Sequence, residues 1–144
     1  MQIGPILRSK GSHVATIEPA ASLLDVAAAL AEHGVGALVV SSDGATIDGI
    51  VSERDLARAL ARHGAAALAL AVSDVMTGEV RTCTERDTVD GLMALMTEER
   101  IRHVPVVDGD RLRGIMSIGD VVKSRLGELQ AENGVLHEYI TSGR

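Results

Sequence analysis

The feature that most constrains this chain is a phrase that occurs twice. Residues Gly49-Ile50-Val51-Ser52-Glu53-Arg54-Asp55 return as Gly114-Ile115-Met116-Ser117-Ile118-Gly119-Asp120, and each copy runs into a stretch whose apolar residues have helical spacing. Two apolar residues after a glycine predict a strand end, and Ser-x-x-Asp predicts the first turn of the helix that follows. A strand-to-helix junction presents unpaired backbone N–H groups and the positive end of the helix dipole, which suits a phosphate. A carboxylate in that first turn is placed to accept hydrogen bonds. Ser52 with Asp55, and Ser117 with Asp120, have this spacing. Either pair taken alone is equally a helix cap worth about 1 kcal/mol.

The repetition extends well beyond the phrase. His13 to Ile17 alternates as a strand and stops at Glu18-Pro19; Ser22 caps a helix from about Leu23 to Glu32, with Asp25 at the capping-box position and Gly34 at its end. Val35 to Val40 is a nearly continuous apolar run, as in a strand buried on both faces. A turn at Ser41 to Gly44 leads back through Ile47 to Val51, and a helix from Asp55 to about Arg62 closes at His63-Gly64. An alanine-rich bridge, Gly64 to Val72, precedes a second unit that opens with Ser73-Asp74-Val75-Met76-Thr77. There Val80 to Thr84 is the expected first strand, and a helix runs from Asp87 or Thr88 through Glu99. Strands at Ile101 to Val107 and Leu112 to Ser117 follow, and then a helix from Asp120 towards Leu129. Aligning Thr16 with Thr82 pairs Val40 with Val106 at an offset of 66, and one deletion in the turn aligns the two phrases at 65. This is an internal duplication; a solenoid needs more copies. Polar helix then continues to a stop at Asn133-Gly134, beyond which Val135, Leu136, Tyr139 and Ile140 form a short apolar face expected to dock on the body or on a second subunit. The division is 1–72 for the first unit with its lead-in and linker, 73–127 for the second, and 128–144 for a helical tail.

Composition narrows the function. At 144 residues the chain can bury roughly 70% of its unfolded surface, so it needs no disulfide or metal staple. The core must be aliphatic, since there is no Trp or Phe and one Tyr. Without aromatic stacking residues, and with a net charge of −6, nucleic-acid binding is not expected. The single Cys83 excludes an internal disulfide and fits a reducing compartment. No leader or membrane-length apolar run is visible, so a soluble, cytoplasmic protein is expected. The five histidines have no metal-ligand spacing, and no nucleophile has an evident base, so neither a metal site nor catalysis is expected.

The duplicated strand-helix-strand-strand-helix unit, with G-h-h-S-x-x-D closing each copy and D-V-M-T opening the second, resembles a tandem pair of CBS domains (the cystathionine-β-synthase type), also called a Bateman module. The resemblance covers about residues 6 to 127. It implies an α+β fold of two pseudo-symmetric β-α-β-β-α motifs packed through their sheets. It also implies a non-enzymatic regulatory module, with no catalytic cofactor, whose two clefts take adenosyl ligands: AMP, ADP, ATP, NAD(H) or S-adenosylmethionine. Carried over, Asp55 with Ser52 and Asp120 with Ser117 hold the ribose and support the phosphate. The adenine sits against strands at Thr16 and Ile17 in one copy and at Thr82, Cys83, Val104 and Pro105 in the other. Lys10, Arg54, Arg102 and His103 are candidate phosphate partners. The copies differ, because Arg54 is matched by Gly119 while Arg102 and His103 are matched by Gly36 and Ala37. The cleft on Asp120, with Arg54 reaching across, is therefore expected to be the better site. A homodimer and an unidentified regulated protein are the implied partners, and the rival reading is a ligand-free interaction and dimerisation module. Cys83, aligned with Ile17, also reads as a buried small hydrophobe.

Overall fold

Local capping chemistry sets the helix boundaries. The computed structural model describes residues 1–11 and 13–142, side chains from 135 onward excepted. Helix α1 spans Ile3–Lys10 and tolerates Pro5 because the first helical turn has no intrahelical N–H bonds to lose. Strand β1, Thr16–Ile17, is shorter than the alternation suggested, since only these two residues reach the sheet before Pro19. Helix α2, Leu23–His33, begins on the predicted capping box, with the Asp25 N–H donating to Ser22 Oγ and the Ser22 N–H donating to Asp25 Oδ2. It ends at Gly34 in the left-handed region. Strand β2, Ala37–Val40, is buried throughout, as its unbroken apolar run required. Strand β3, Gly49–Ser52, turns directly into α3, Glu53–His63. The bridge forms a 3-10 turn over Gly64–Ala69 and a short helix α4, Val72–Val75. Helix α5, Val89–Glu99, is capped by Thr88, and the chain closes with β4 (His103–Asp108), β5 (Arg111–Ser117) and α6 (Ile118–Ser142).

The first half is a three-stranded sheet in the order β1-β2-β3, parallel then antiparallel, and the second is the antiparallel pair β4-β5. The expected strand at Val80 to Thr84 does not form. Only Cys83 makes a parallel bridge, to Val106, where Ile17 pairs with Val40 in the first half. Its neighbours Arg81, Thr82 and Thr84 are exposed, so a single residue is drawn to the core and the ladder stops there. The expected stop at Asn133-Gly134 is also absent, for α6 continues to Ser142. An internal glycine costs a helix only about 1 kcal/mol, which the flanking helix formers Glu128, Gln130, Ala131 and Glu132 offset. The side-chain face of Val135, Leu136, Tyr139 and Ile140 lies outside the described residues.

Two aliphatic cores result, and each is closed by a segment that sequence order assigns to the other half. Ile3 and Leu7 of α1 are buried with Cys83, Val89, Leu92, Val104, Val106 and Met116, in the second core. Val75 and Met76, from the opening of the second unit, pack against the first core of Leu23, Leu38, Val40 and Val51, beside Ala67 and Val72 at the end of the linker. The backbone bonds match pairwise: Ile3 N–H to Asp87 O and Gly4 N–H to Glu85 O repeat as Val72 N–H to Ala21 O and Ser73 N–H to Pro19 O. Residues 2–7 therefore stand to the second half as 71–76 stand to the first. The two halves meet where the Leu112 N–H of β5 donates to the carbonyl of Ala45 in the β2–β3 turn and where His103 of β4 lies over Gly36, just before β2.

Candidate functional site

Each copy of the phrase is a strand end that becomes a helix start, and the two are built alike. In the first, the Asp55 N–H donates to Ser52 Oγ at 3.3 Å, while the Ser52 N–H and hydroxyl donate to Asp55 Oδ2 at 2.9 and 3.0 Å. In the second, the same three bonds join Ser117 and Asp120 at 3.1, 2.8 and 2.9 Å. In both, one carboxylate oxygen is fixed by the serine. The other, Oδ1, accepts no protein hydrogen bond among the described residues. The cap reading and the ligand reading are thus compatible, since capping uses half of the carboxylate.

The glycine that opens each phrase has a packing role. A Cβ on Gly49 would stand 2.6 Å from Met76 Sδ and 2.8 Å from the Thr77 carbonyl, and one on Gly114 would collide with Leu7. These glycines admit the closing segments onto β3 and β5.

Charge separates the copies. Lys10 Nζ is 2.6 Å from Asp120 Oδ2 and donates at 2.7 Å to the Ile115 carbonyl. At the equivalent carbonyl, Ile50, the Thr77 N–H is the donor at 2.9 Å, and Asp55 has no basic partner among the described residues. Burial pushes the Asp120 carboxyl up, but the Lys10 and Ser117 hydrogen bonds and the lysine charge outweigh it and hold the group below its usual range. Arg54 is exposed and enters no ion pair among the described residues, so the charge beside Asp120 comes from α1.

His103 opens β4 directly across from Ser117, half-buried. Its imidazole and the Glu53 carboxylate both come close to Gly36, with His103 Cε1 3.2 Å and Glu53 Oε1 3.1 Å from where a side chain there would begin. Burial lowers its pKa; Glu53 and Asp120 oppose this, and Lys10 and Arg102 reinforce it. One imidazole therefore feels a carboxylate from each phrase, so the two junctions adjoin. Glu53 was not singled out by motif reading; the signal was its place inside the phrase, where the second copy has Ile118.

The strand residues divide. Thr16 and Thr82 are exposed and Ile17 is half-buried. Cys83, Val104 and Pro105 are buried, with Cys83 and Val104 inside the second core. Cys83 Sγ lies 3.7 Å from the Pro105 carbonyl, and burial, with the nearby Asp87 charge adding to it, pushes the thiol up to about 12. It is a protonated packing group, and its backbone is taken up by β4, the Cys83 N–H donating to the Pro105 carbonyl and the Cys83 carbonyl accepting from the Val107 N–H. Along α6, Ile118, Val122, Leu126 and Leu129 form an exposed apolar stripe beside an open groove of about 590 Å³, a feature the sequence reading did not isolate. No helix among the described residues is long and apolar enough to cross a membrane.

Comparison with known proteins agrees with this geometry. The CBS-domain profile matches residues 9–62 and again 72–127. A mitochondrial CBS domain-containing protein of Arabidopsis thaliana is 37% identical over 126 residues, 85% of this chain; the chain spans 61% of that relative's length. A crystallised CBS-domain protein of Agrobacterium tumefaciens is 46% identical with a TM-score of 0.84, covering 87% of this chain and 99% of its own. A CBS-domain pair solved with 5′-methylthioadenosine and S-adenosyl-L-methionine is 26% identical with a TM-score of 0.80, over 89% of this chain and 98% of its own. A Pyrobaculum aerophilum CBS protein solved with AMP is 27% identical with a TM-score of 0.73, over 83% and 89%. Two profile matches at the positions of the two structural halves place this chain in the CBS-domain family, as a tandem pair of CBS motifs.

Proposed function

We propose that this chain is a regulatory module that binds adenosyl nucleotides between its two CBS motifs and carries no chemistry of its own. The observation that carries the reading is the pair of Ser-Asp junctions, each with one carboxylate oxygen fixed and one free, on a fold whose relatives include pairs solved with AMP and with 5′-methylthioadenosine and S-adenosyl-L-methionine. A carboxylate held this way accepts charge-assisted bonds from vicinal ribose hydroxyls. Asp120 with Ser117 and Asp55 with Ser52 are the ribose clamps. The edges at Thr16 and Ile17, and at Thr82, Cys83, Val104 and Pro105, face the adenine. Lys10, Arg54 and Arg102 supply positive charge for phosphate, and His103, neutral at pH 7, supplies a hydrogen bond. Occupancy shifts the packing of the two motifs by as much as the ligand's differential affinity for the two arrangements allows, and a partner protein reads the change.

A thermal-shift panel of AMP, ADP, ATP, NAD, NADH and S-adenosylmethionine tests the reading. A site filled at 100 times its Kd adds about 2.7 kcal/mol to stability. Asp120→Ala should abolish the strongest response and Asp55→Ala should spare it. Silence across the panel would favour the second reading, an interaction module that dimerises. The exposed α6 stripe supports a homodimer under either reading, and sedimentation of Val122→Glu tests it.

A further inference from the structure

The ion pair on the second clamp changes what that clamp accepts. Lys10 spends two of its three N–H donors on Asp120 Oδ2 and the Ile115 carbonyl. In the first copy the equivalent carbonyl is served by the Thr77 amide, and the clamp carboxylate has no cation on it among the described residues. One structural requirement is thus met by a fixed amide in one copy and by a movable ammonium in the other. A diol arriving at the open Oδ1 of Asp120 meets a carboxylate already paired through Oδ2 with that ammonium, so the charge assistance that strengthens such bonds is already partly used. A ligand that also carries phosphate offers the lysine a second anion. The flexible four-carbon stem lets the ammonium bridge carboxylate and phosphate, and the third N–H is available for it. Arg102 and His103 sit close enough to act on the same neighbourhood.

We infer that Lys10 sets ligand class: the Asp120 clamp selects phosphate-bearing adenosyl ligands over uncharged or cationic ones, whereas the Asp55 clamp takes them without that preference. The inference rests on the nucleotide-binding reading above. The fold itself does not impose the choice, since relatives of the same fold have been solved with AMP in one case and with 5′-methylthioadenosine and S-adenosyl-L-methionine in another.

Calorimetry on the full-length chain with Asp55→Ala isolates the second clamp. In that background AMP should bind about tenfold or more tighter than adenosine and S-adenosylmethionine. Adding Lys10→Met should weaken AMP about tenfold, leave adenosine unchanged or tighter, and so erase the preference; Lys10→Arg should retain it. These factors are of the size expected for one charge-assisted contact. A purely structural role for Lys10 would weaken both ligands together, and that result overturns the inference. Equal binding of AMP and adenosine by Asp55→Ala alone overturns it without any lysine variant, so a misfolded Lys10→Met leaves it testable. Failure of the wild-type chain to bind either probe would instead fell the nucleotide reading, and the selectivity with it.

Discussion

Lys10 Nζ lies 2.6 Å from Asp120 Oδ2, tying the first helix of the chain to the first turn of the last. Side-chain exposures of 31% and 20% leave the pair partly screened, so its net worth without ligand is on the order of 1 kcal/mol. Lys10→Met should therefore lower Tm by about 4 °C at neutral pH. The Asp120 carboxyl is depressed in the folded state, so its contribution is present above its ordinary value of 3.8 and is lost as pH falls through the lower folded value. Melting curves of wild type and Lys10→Met, followed from pH 7 downward, should converge below that range.

His103 titrates below its ordinary 6.5 in the folded chain, first because it is buried. The unfolded chain takes up the proton earlier, so this residue costs stability as pH falls from above 6.5 towards the folded value. His103→Gln should flatten the decline between pH 7 and 5 in urea titrations. NMR titration of the imidazole should show Glu53→Gln lowering its pKa further and Lys10→Met raising it, since the carboxylate favours the charged ring and the ammonium disfavours it.

The phrase glycines should resist even alanine. At Gly49 the added carbon meets the Thr77 backbone, which cannot rotate away, and at Gly114 it meets the buried Leu7 side chain. Gly49→Ala and Gly114→Ala should each cost about 1–3 kcal/mol in denaturant unfolding. Leu7→Ala should offset part of the Gly114→Ala cost in a double-mutant cycle, whereas Met76→Ala should relieve Gly49→Ala only partly, because the carbonyl remains.

Shortening α1 should damage the half of the molecule remote from it in sequence. Ile3 and Leu7 are buried in the second core, so Ile3→Ala or Leu7→Ala should cost about 2–5 kcal/mol. Hydrogen exchange should report the loss of protection first in β4 and β5, with β2 and β3 spared. Protection lost equally across both sheets would contradict two separately closed cores.

What was legible in the sequence was short-range. The capping boxes at Ser22-Asp25 and Ser52-Asp55 could be read because four consecutive residues contain both partners, and the Val35 to Val40 run because burial on both faces of Ala37–Val40 leaves it unbroken there, although Val35 itself is exposed and outside the strand. The region 80–84 misled because a strand is made by its neighbour, and there only Cys83 finds one. The Lys10–Asp120 contact spans 110 positions, and nothing local foretells it. Equivalence of the two closing segments was also hidden, although Ile3, Ile6 and Leu7 share the spacing of Val72, Val75 and Met76 at an offset of 69. No residue identity supports that match. It becomes visible only through the bonds each segment makes and the glycine each one covers.

The exchanged closing segments mean that neither repeat is self-sufficient. A fragment cut before Gly64 would carry α4 away from the core it seals and leave its own core without α1. Two identical single repeats would complete each other only by trading these helices reciprocally, as subunits do in a swapped dimer. In this chain the trade is made within one polypeptide, so the covalent link between the repeats doubles as the guarantee that the lids are never mismatched.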